Sequence, residues 1–247
     1  MVALVTGASS GIGREIAILL SDMGYSLSLV ARREEKLNEL ADTLKTNCKV
    51  IPMDLSVPEN AVKLYELTKN DGVEVLVNNA GFGIFGEFIN TPLKKEISMI
   101  NTNITSLHIL MKLFCKDFAE NKKGYILNVG SSAGFMAGPL LSAYYASKAY
   151  VLRLSEAVAE EVRGTGVKIS VLCPGPVETE FDSVANVKFS LKGLTARFVA
   201  KKAVDGMFRG KRVIIPGIKM KLAIFFVRFL PEFIMVKITH RMQKKKG

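Results

Sequence analysis

Val2-Ala3-Leu4-Val5-Thr6-Gly7-Ala8-Ser9-Ser10-Gly11-Ile12-Gly13 is the stretch that decides the fold of this chain. Val2–Val5 reads as a buried strand, and the glycines that follow, spaced G-x-x-x-G-x-G, permit a tight turn into a helix starting near residue 12. Such a loop lets backbone approach a pyrophosphate closely, and the helix behind it presents its positive N-terminus. The first gap is one residue longer than in the G-x-G-x-x-G dinucleotide pattern. Taken alone, the loop reads equally well as a plain strand–turn–helix connection. Its place at the first strand and the motifs downstream favour a dinucleotide.

Outward from that loop, short β-type runs alternate with helical patterns. Leu27–Ala31, Val50–Met53, Val75–Val77, Tyr125–Val129, Ile169–Leu172 and Val213–Ile215 read as further strands. Helical stretches lie near 12–22, 34–46, 59–70, 94–120, 143–163 and 196–208. This alternation predicts an α/β fold: a doubly wound, seven-stranded parallel sheet with helices on both faces and ligands beyond the carboxyl ends of the strands. No domain boundary or internal repeat is visible, so residues 1–247 read as one domain with a helical extension at about 216–247.

Composition narrows the function. Cys48, Cys115 and Cys173 are odd in number, widely spaced and without a C-x-x-C pair, which points to a reducing cytoplasm. His108 and His240 are too few and too far apart to suggest a zinc site or a Ser/His/Asp triad, so no metal is expected. No secretory leader is expected, because Val2–Val5 runs straight into the glycine loop. The net charge of +11 is unevenly placed: residues 1–196 hold 20 Lys+Arg against 21 Asp+Glu, and residues 197–247 hold 14 against Asp205 and Glu232. The basic excess therefore belongs to the last fifth of the chain. It comes without a base-reading motif or aromatic interleaving, so nucleic acid is not an expected partner.

Two further stretches carry chemistry. In Tyr144-Tyr145-Ala146-Ser147-Lys148 a tyrosine and a lysine stand four apart, on one face of a helix. A nearby ammonium favours phenolate and can lower a tyrosine pKa from its usual value of about 10. The second strand ends in Ala31-Arg32-Arg33, 19 residues after Gly13. An acidic residue there would accept from a ribose 2′-OH, whereas Arg32 and Arg33 can pair with a 2′-phosphate. NADP(H) is expected over NAD, and Arg33 is the better candidate for a solvated helix-start residue.

Across residues 1 to about 215 the chain resembles a short-chain dehydrogenase/reductase of the compact, Rossmann-type kind. Thr6-Gly7-x-x-x-Gly11-x-Gly13 is similar to that family's cofactor loop, Asp54-Leu55 to its adenine-side pair, and Asn78-Asn79-Ala80-Gly81 to its motif after the fourth strand. Pro174-Gly175-Pro176-Val177-Glu178-Thr179 matches its nicotinamide-side loop, and Tyr144 and Lys148 its Y-x-x-x-K pair. The resemblance implies NADP(H) contacts from Gly7, Ser9, Ser10, Gly11, Ile12, Gly13, Arg32, Arg33, Asp54, Leu55, Asn79, Ala80, Gly81, Tyr144, Lys148, Pro174, Gly175, Val177 and Thr179. It also implies a catalytic set of Asn103, Ser131, Tyr144 and Lys148. Ser131 is selected because the family serine precedes the tyrosine by 13 residues, and Asn101 is the register alternative to Asn103. By the same analogy Asn103 holds a water that extends a proton relay from Lys148. Cys173 reads as a packed thiol, not a nucleophile.

The expected activity is hydride transfer between NADP(H) and a hydrophobic ketone, alcohol or 3-oxoacyl group. The competing reading is a dinucleotide-binding redox sensor without turnover. Phe181, Val184, Val187 and Phe189 in the family's lid region, with Phe135, Met136 and Leu140, would give the substrate an apolar wall. The tail, Pro216–Lys246, reads as two helices separated at Pro231. In the second, Lys237, Arg241 and Lys244 are placed opposite Phe233, Ile234 and Val236. A membrane span needs about 20 apolar residues and is not expected. The favoured expectation is that the tail packs on the body or on a partner in a homodimer or homotetramer, with peripheral membrane contact as a secondary role.

Overall fold

The computed structural model describes residues 1–181, 193–227 and 229–244. Seven strands form one parallel sheet: β1 (Val2–Thr6), β2 (Ser26–Ala31), β3 (Cys48–Pro52), β4 (Val73–Asn78), β5 (Gly124–Val129), β6 (Val167–Leu172) and β9 (Val213–Ile214). Their order is β3-β2-β1-β4-β5-β6-β9, so the direction of winding reverses between β1 and β4. Beyond the carboxyl ends of those two strands the flanking loops part and leave a crevice.

Helices α1 (Gly11–Asp22), α2 (Glu34–Thr43) and α7 (Ala196–Phe208) cover one face, and α3 (Pro58–Thr68), α5 (Leu107–Glu120) and α6 (Ser142–Glu161) the other. The strands serve both layers by alternation. Ala3 and Val5 of β1 join the core under α1 and α7, while Leu4 between them joins the core under α3, α5 and α6. On α1, Ile16, Ala17 and Leu20 recur at helical spacing and are fully buried. Helices on both faces leave the central strands covered on both sides, which is why β1 and β4 read as mainly apolar runs, while Lys49 and Pro52 of the edge strand β3 are exposed.

Two elements differ from the sequence expectation. The helix expected over 94–120 is α4 (Leu93–Ile100) and α5 joined by a π-helical segment, Asn101–Ser106. The extra residue per turn shifts the register of Asn103 relative to a regular helix. The loop over 174–179 is also partly ordered as strand: β7 (Val177–Glu178) pairs in parallel with β8 (Leu194–Thr195). After β9 come α8 (Ile218–Val227) and α9 (Glu232–Lys244), the two helices expected around Pro231.

Candidate active site

The glycine turn is tied down by the end of β4. Thr6 Oγ1 donates to the Val77 carbonyl at 3.2 Å and accepts from the N–H groups of Asn79 at 2.9 Å and Ala80 at 3.1 Å. Asn79 Nδ2 donates in return to the carbonyls of Thr6 at 2.9 Å and Gly7 at 3.0 Å. Gly13 sits beneath this knot, where a β-carbon would lie 2.3 Å from Asn79 Nδ2 and 2.4 Å from the Gly7 carbonyl oxygen. Gly7 itself has a φ of 65°, open to glycine at little cost. Gly13 is thus needed by the turn and stays out of the crevice.

Above the knot lies a cavity of about 810 Å³, within the range of small-molecule sites. Gly7, Ser9, Ser10, Gly11 and Ile12 line its floor, Asp54 and Leu55 one end, and Asn79, Ala80 and Gly81 its middle. Pro174, Gly175, Val177 and Thr179 line the opposite wall. Arg32 and Arg33 both border the cavity but differ in what they do. Arg33 precedes α2, donates to Ser9 Oγ at 3.2 Å and pairs with Glu180 at 2.6 Å, which holds the Glu180 carboxyl below its usual range. Arg32 is exposed and makes no ion pair among the described residues. The open glycine cradle fits a dinucleotide.

The chemical groups converge from three elements. Ser131, two residues beyond the end of β5, accepts from the Ala133 N–H at 3.1 Å and faces Tyr144, whose phenolate it favours. Tyr144 and Lys148 share one face of α6, with the Lys148 Nζ 5.8 Å from the Tyr144 ring centroid. That ammonium donates to the Val129 carbonyl at 2.8 Å. Asn103 arrives from the π segment. A β-carbon on Gly81 would meet its Oδ1 at 2.9 Å and Lys148 Nζ at 3.4 Å, so both groups press on one glycine. Asn103 is buried and clamps the Phe82 backbone from both sides while donating to Ser147 Oγ at 3.1 Å. The register alternative, Asn101, instead donates to the Ser56 carbonyl at 3.0 Å.

Protonation runs against the sequence expectation. Burial pushes Tyr144 up to about 12, with the Ser131 hydrogen bond opposing, and pushes Lys148 down to about 8. Desolvation is the largest cause at both groups, because both leave water. Tyr144 is therefore a neutral phenol at neutral pH, a proton donor. Burial likewise pushes the Cys173 thiol up to about 12, the state of a packed, unreactive cysteine.

The substrate side carries the other corrections. Of Phe135, Met136 and Leu140, Met136 lines the cavity, while Phe135 packs into the core under α6. Phe181 packs against Tyr144 with the rings tilted by 50° and their centroids 5.3 Å apart, and Val184, Val187 and Phe189 lie outside the described residues. The roof comes from the tail: Met220, Ala223 and Val227 of α8 and Met235, Thr239, Met242 and Gln243 of α9 all line the cavity. The buried stripe of α9 is Met235, Thr239 and Gln243, whereas Phe233, Ile234 and Val236 are exposed. Thr239 donates to the Ala137 carbonyl at 2.8 Å, and Gln243 Nε2 donates to the Tyr145 hydroxyl at 2.5 Å. Gln243 Oε1 is buried and has no hydrogen-bond partner among the described residues. Spacing at i, i+4, i+8 in α9 is the signal that could have revealed this stripe; the larger residues beside it hid it.

Comparison with known proteins agrees with this geometry. The family model for short chain dehydrogenases matches residues 1–188. A 7beta-hydroxysteroid dehydrogenase of Mediterraneibacter gnavus is 33% identical over 180 residues, covering 71% of this chain and 68% of that protein. Among solved structures, a short-chain dehydrogenase from Sphingobium yanoikuyae in complex with NADPH superposes with a TM-score of 0.84 at 28% identity, covering 92% of this chain and 93% of the other. A 7beta-hydroxysteroid dehydrogenase structure gives 0.86 at 27% identity over 96% and 95% of the two chains. The chain belongs to the short-chain dehydrogenase family.

Proposed function

We propose that this short-chain dehydrogenase is an NADP(H)-dependent oxidoreductase that interconverts a bulky hydrophobic ketone and its alcohol. The observation that carries the reading is the convergence of Ser131, Tyr144 and Lys148 on one cavity with the glycine cradle and Arg32. Gly7, Ser9, Gly11 and Ile12 would hold the pyrophosphate, Arg32 the 2′-phosphate, and Asp54 and Leu55 would border the adenine. NADP(H) bound there supplies or accepts the hydride at the substrate carbon.

The protein groups handle the oxygen. The Ser131 hydroxyl donates to the substrate oxygen as charge builds on it. Tyr144, kept neutral by burial, passes its phenolic proton to that oxygen in reduction and recovers it in oxidation. Lys148, positive below about pH 8, stabilises the phenolate left behind. Asn103 fixes the Phe82 backbone and the α6 serine next to Lys148, so its part is positioning.

The roof points to the substrate. Met220, Val227, Met235 and Met242 offer flexible apolar surface, suited to a large hydrophobic body. The unpaired Gln243 Oε1 and the Tyr145 hydroxyl give that body a remote polar anchor, matching a hydroxylated ketone. Similarity to a hydroxysteroid dehydrogenase supports the same class. The three free thiols suit a reducing cytosol.

NADPH oxidation measured against bulky ketones with and without a distal hydroxyl, beside small ketones and polyols, tests the reading. Turnover of the bulky ketones is expected. Cofactor binding with no turnover across the panel would favour the redox-sensor reading instead.

A further inference from the structure

The tail helices turn their most apolar faces outward. Along α8, Ile218, Leu222, Phe225 and Phe226 recur at i, i+4, i+7 and i+8, and Phe229 follows at i+11. That stripe would normally be buried. Here their exposures are 76%, 53%, 55%, 61% and 70%, and Ile224 is the residue of α8 that is buried. Phe225 rests its ring on Phe226 and Phe229, at centroid distances of 5.6 Å and 5.1 Å, so the aromatics contact one another at the surface. On α9, Ile234 and Ile238 add a second exposed strip beside the buried one, and Phe233 is 66% exposed.

Positive charge borders both strips. Lys219, Lys221, Lys237, Arg241 and Lys244 are exposed, and none forms an ion pair among the described residues. Residues 216–247 hold eight Lys+Arg and one acid, Glu232. α8 has 10 residues and α9 has 13, and among the described residues no helix is long and apolar enough to cross a membrane.

We propose that the outer face of α8 and α9 docks on an anionic bilayer surface, with the phenylalanines entering the acyl boundary and the lysines and arginines meeting lipid phosphates. Apolar area and basic residues on the same short helices are what interfacial binding requires. A second copy of the chain is the poorer occupant. A two-fold interface sets the patch against itself, bringing together like charges with a single acid per chain to answer them. The inner sides of the same helices line the substrate cavity, so docking would bring that cavity to the lipid surface. The docking proposal rests on this surface alone and holds whatever the reaction is.

The test is co-sedimentation of the full-length protein with vesicles of phosphatidylcholine, and of phosphatidylcholine mixed with phosphatidylglycerol. Sedimentation velocity and NADPH binding are measured in parallel. Binding to the anionic vesicles that weakens with added salt is expected. Phe225→Ser combined with Phe229→Ser should abolish it, and Lys219→Glu combined with Lys221→Glu should lower it by about tenfold or more, with NADPH binding retained by both. These positions are exposed, so the fold should tolerate the changes. No anionic binding by the wild type, or binding unaffected by both double variants, would overturn the proposal. So would a dimer that the serine variant converts to a monomer. Loss of NADPH binding by the wild type would count against the proposed function and leave docking to its own readout.

Discussion

The floor and the roof of the cavity are built on opposite principles. At the floor, Thr6, Asn79 and Gly7 are locked by five hydrogen bonds between strand ends, and Gly13 leaves no room for a methyl group. At the roof, α8 and α9 meet the body through methionines and through hydrogen bonds from Thr239 and Gln243. Geometry that must hold atoms for proton transfer needs rigid, directional contacts. A surface that only selects among hydrophobic bodies can rely on adaptable apolar ones. On the proposed function the contrast predicts that chemistry and specificity reside in separable parts of the chain, so substitutions should sort into those that slow every substrate and those that reorder them.

The sharpest way to break the contrast is Tyr144→Phe. Turnover should fall about 10²–10⁴-fold for every substrate, since the transferable proton is lost. Steady-state kinetics with NADPH binding by fluorescence would check this, and a variant impaired on hydroxylated ketones alone would make Tyr144 a specificity residue.

Arg32→Ala should weaken NADPH by tenfold or more and leave NADH nearly unchanged, because a charge-assisted hydrogen bond is worth about 1.5–3 kcal/mol. Paired titrations decide it. Equal losses for both cofactors would mean that Arg32 does not read the 2′-phosphate.

pH sharpens the electrostatics of the floor. Tyr144 keeps its proton until about pH 12, while Lys148 gives up its positive charge as pH rises through about 8. Reductive kcat/KM should therefore be level below pH 8 and decline above it, approaching about tenfold per unit. Lys148→Met should be slow and flat across that window. A wild-type profile still rising above pH 8 would contradict the assignment.

The smallest effect belongs to the roof. Gln243→Leu removes a buried amide, and a net hydrogen bond is worth about 0.5–1.5 kcal/mol. kcat/KM for a hydroxylated ketone should drop a few-fold, while a plain ketone of similar size should be unaffected or improved. Equal loss on both would make Gln243 a packing residue.

Much of the floor is legible in the order of residues. Seven mainly apolar runs correspond to the seven strands, because strands covered on both faces are rich in apolar residues. The glycine spacing, the Arg32-Arg33 pair and the Tyr144–Lys148 interval are local patterns with local geometry, and Gly7, Gly11, Arg32, Arg33, Tyr144 and Lys148 meet at one cavity while Gly13 packs beneath the turn. The π segment is not legible: Asn101–Ser106 has ordinary helical composition, and its altered hydrogen bonding reflects how α4 and α5 pack. Nor is the β7–β8 pair, whose two-residue strands carry no pattern of their own.

The amino-acid order by itself made legible the layered α/β sheet, the glycine turn and the interval between Tyr144 and Lys148, since each is announced by a pattern of residues close together along the chain. Tertiary structure alone decided three things: which stripe of α9 faces the cavity, that Gln243 reaches Tyr145 across 98 positions, and that burial lifts Tyr144 instead of Lys148 lowering it. Solvent exclusion is the reason. Whether a side chain is buried, paired or charged depends on what distant segments bring over it, and no local pattern encodes that.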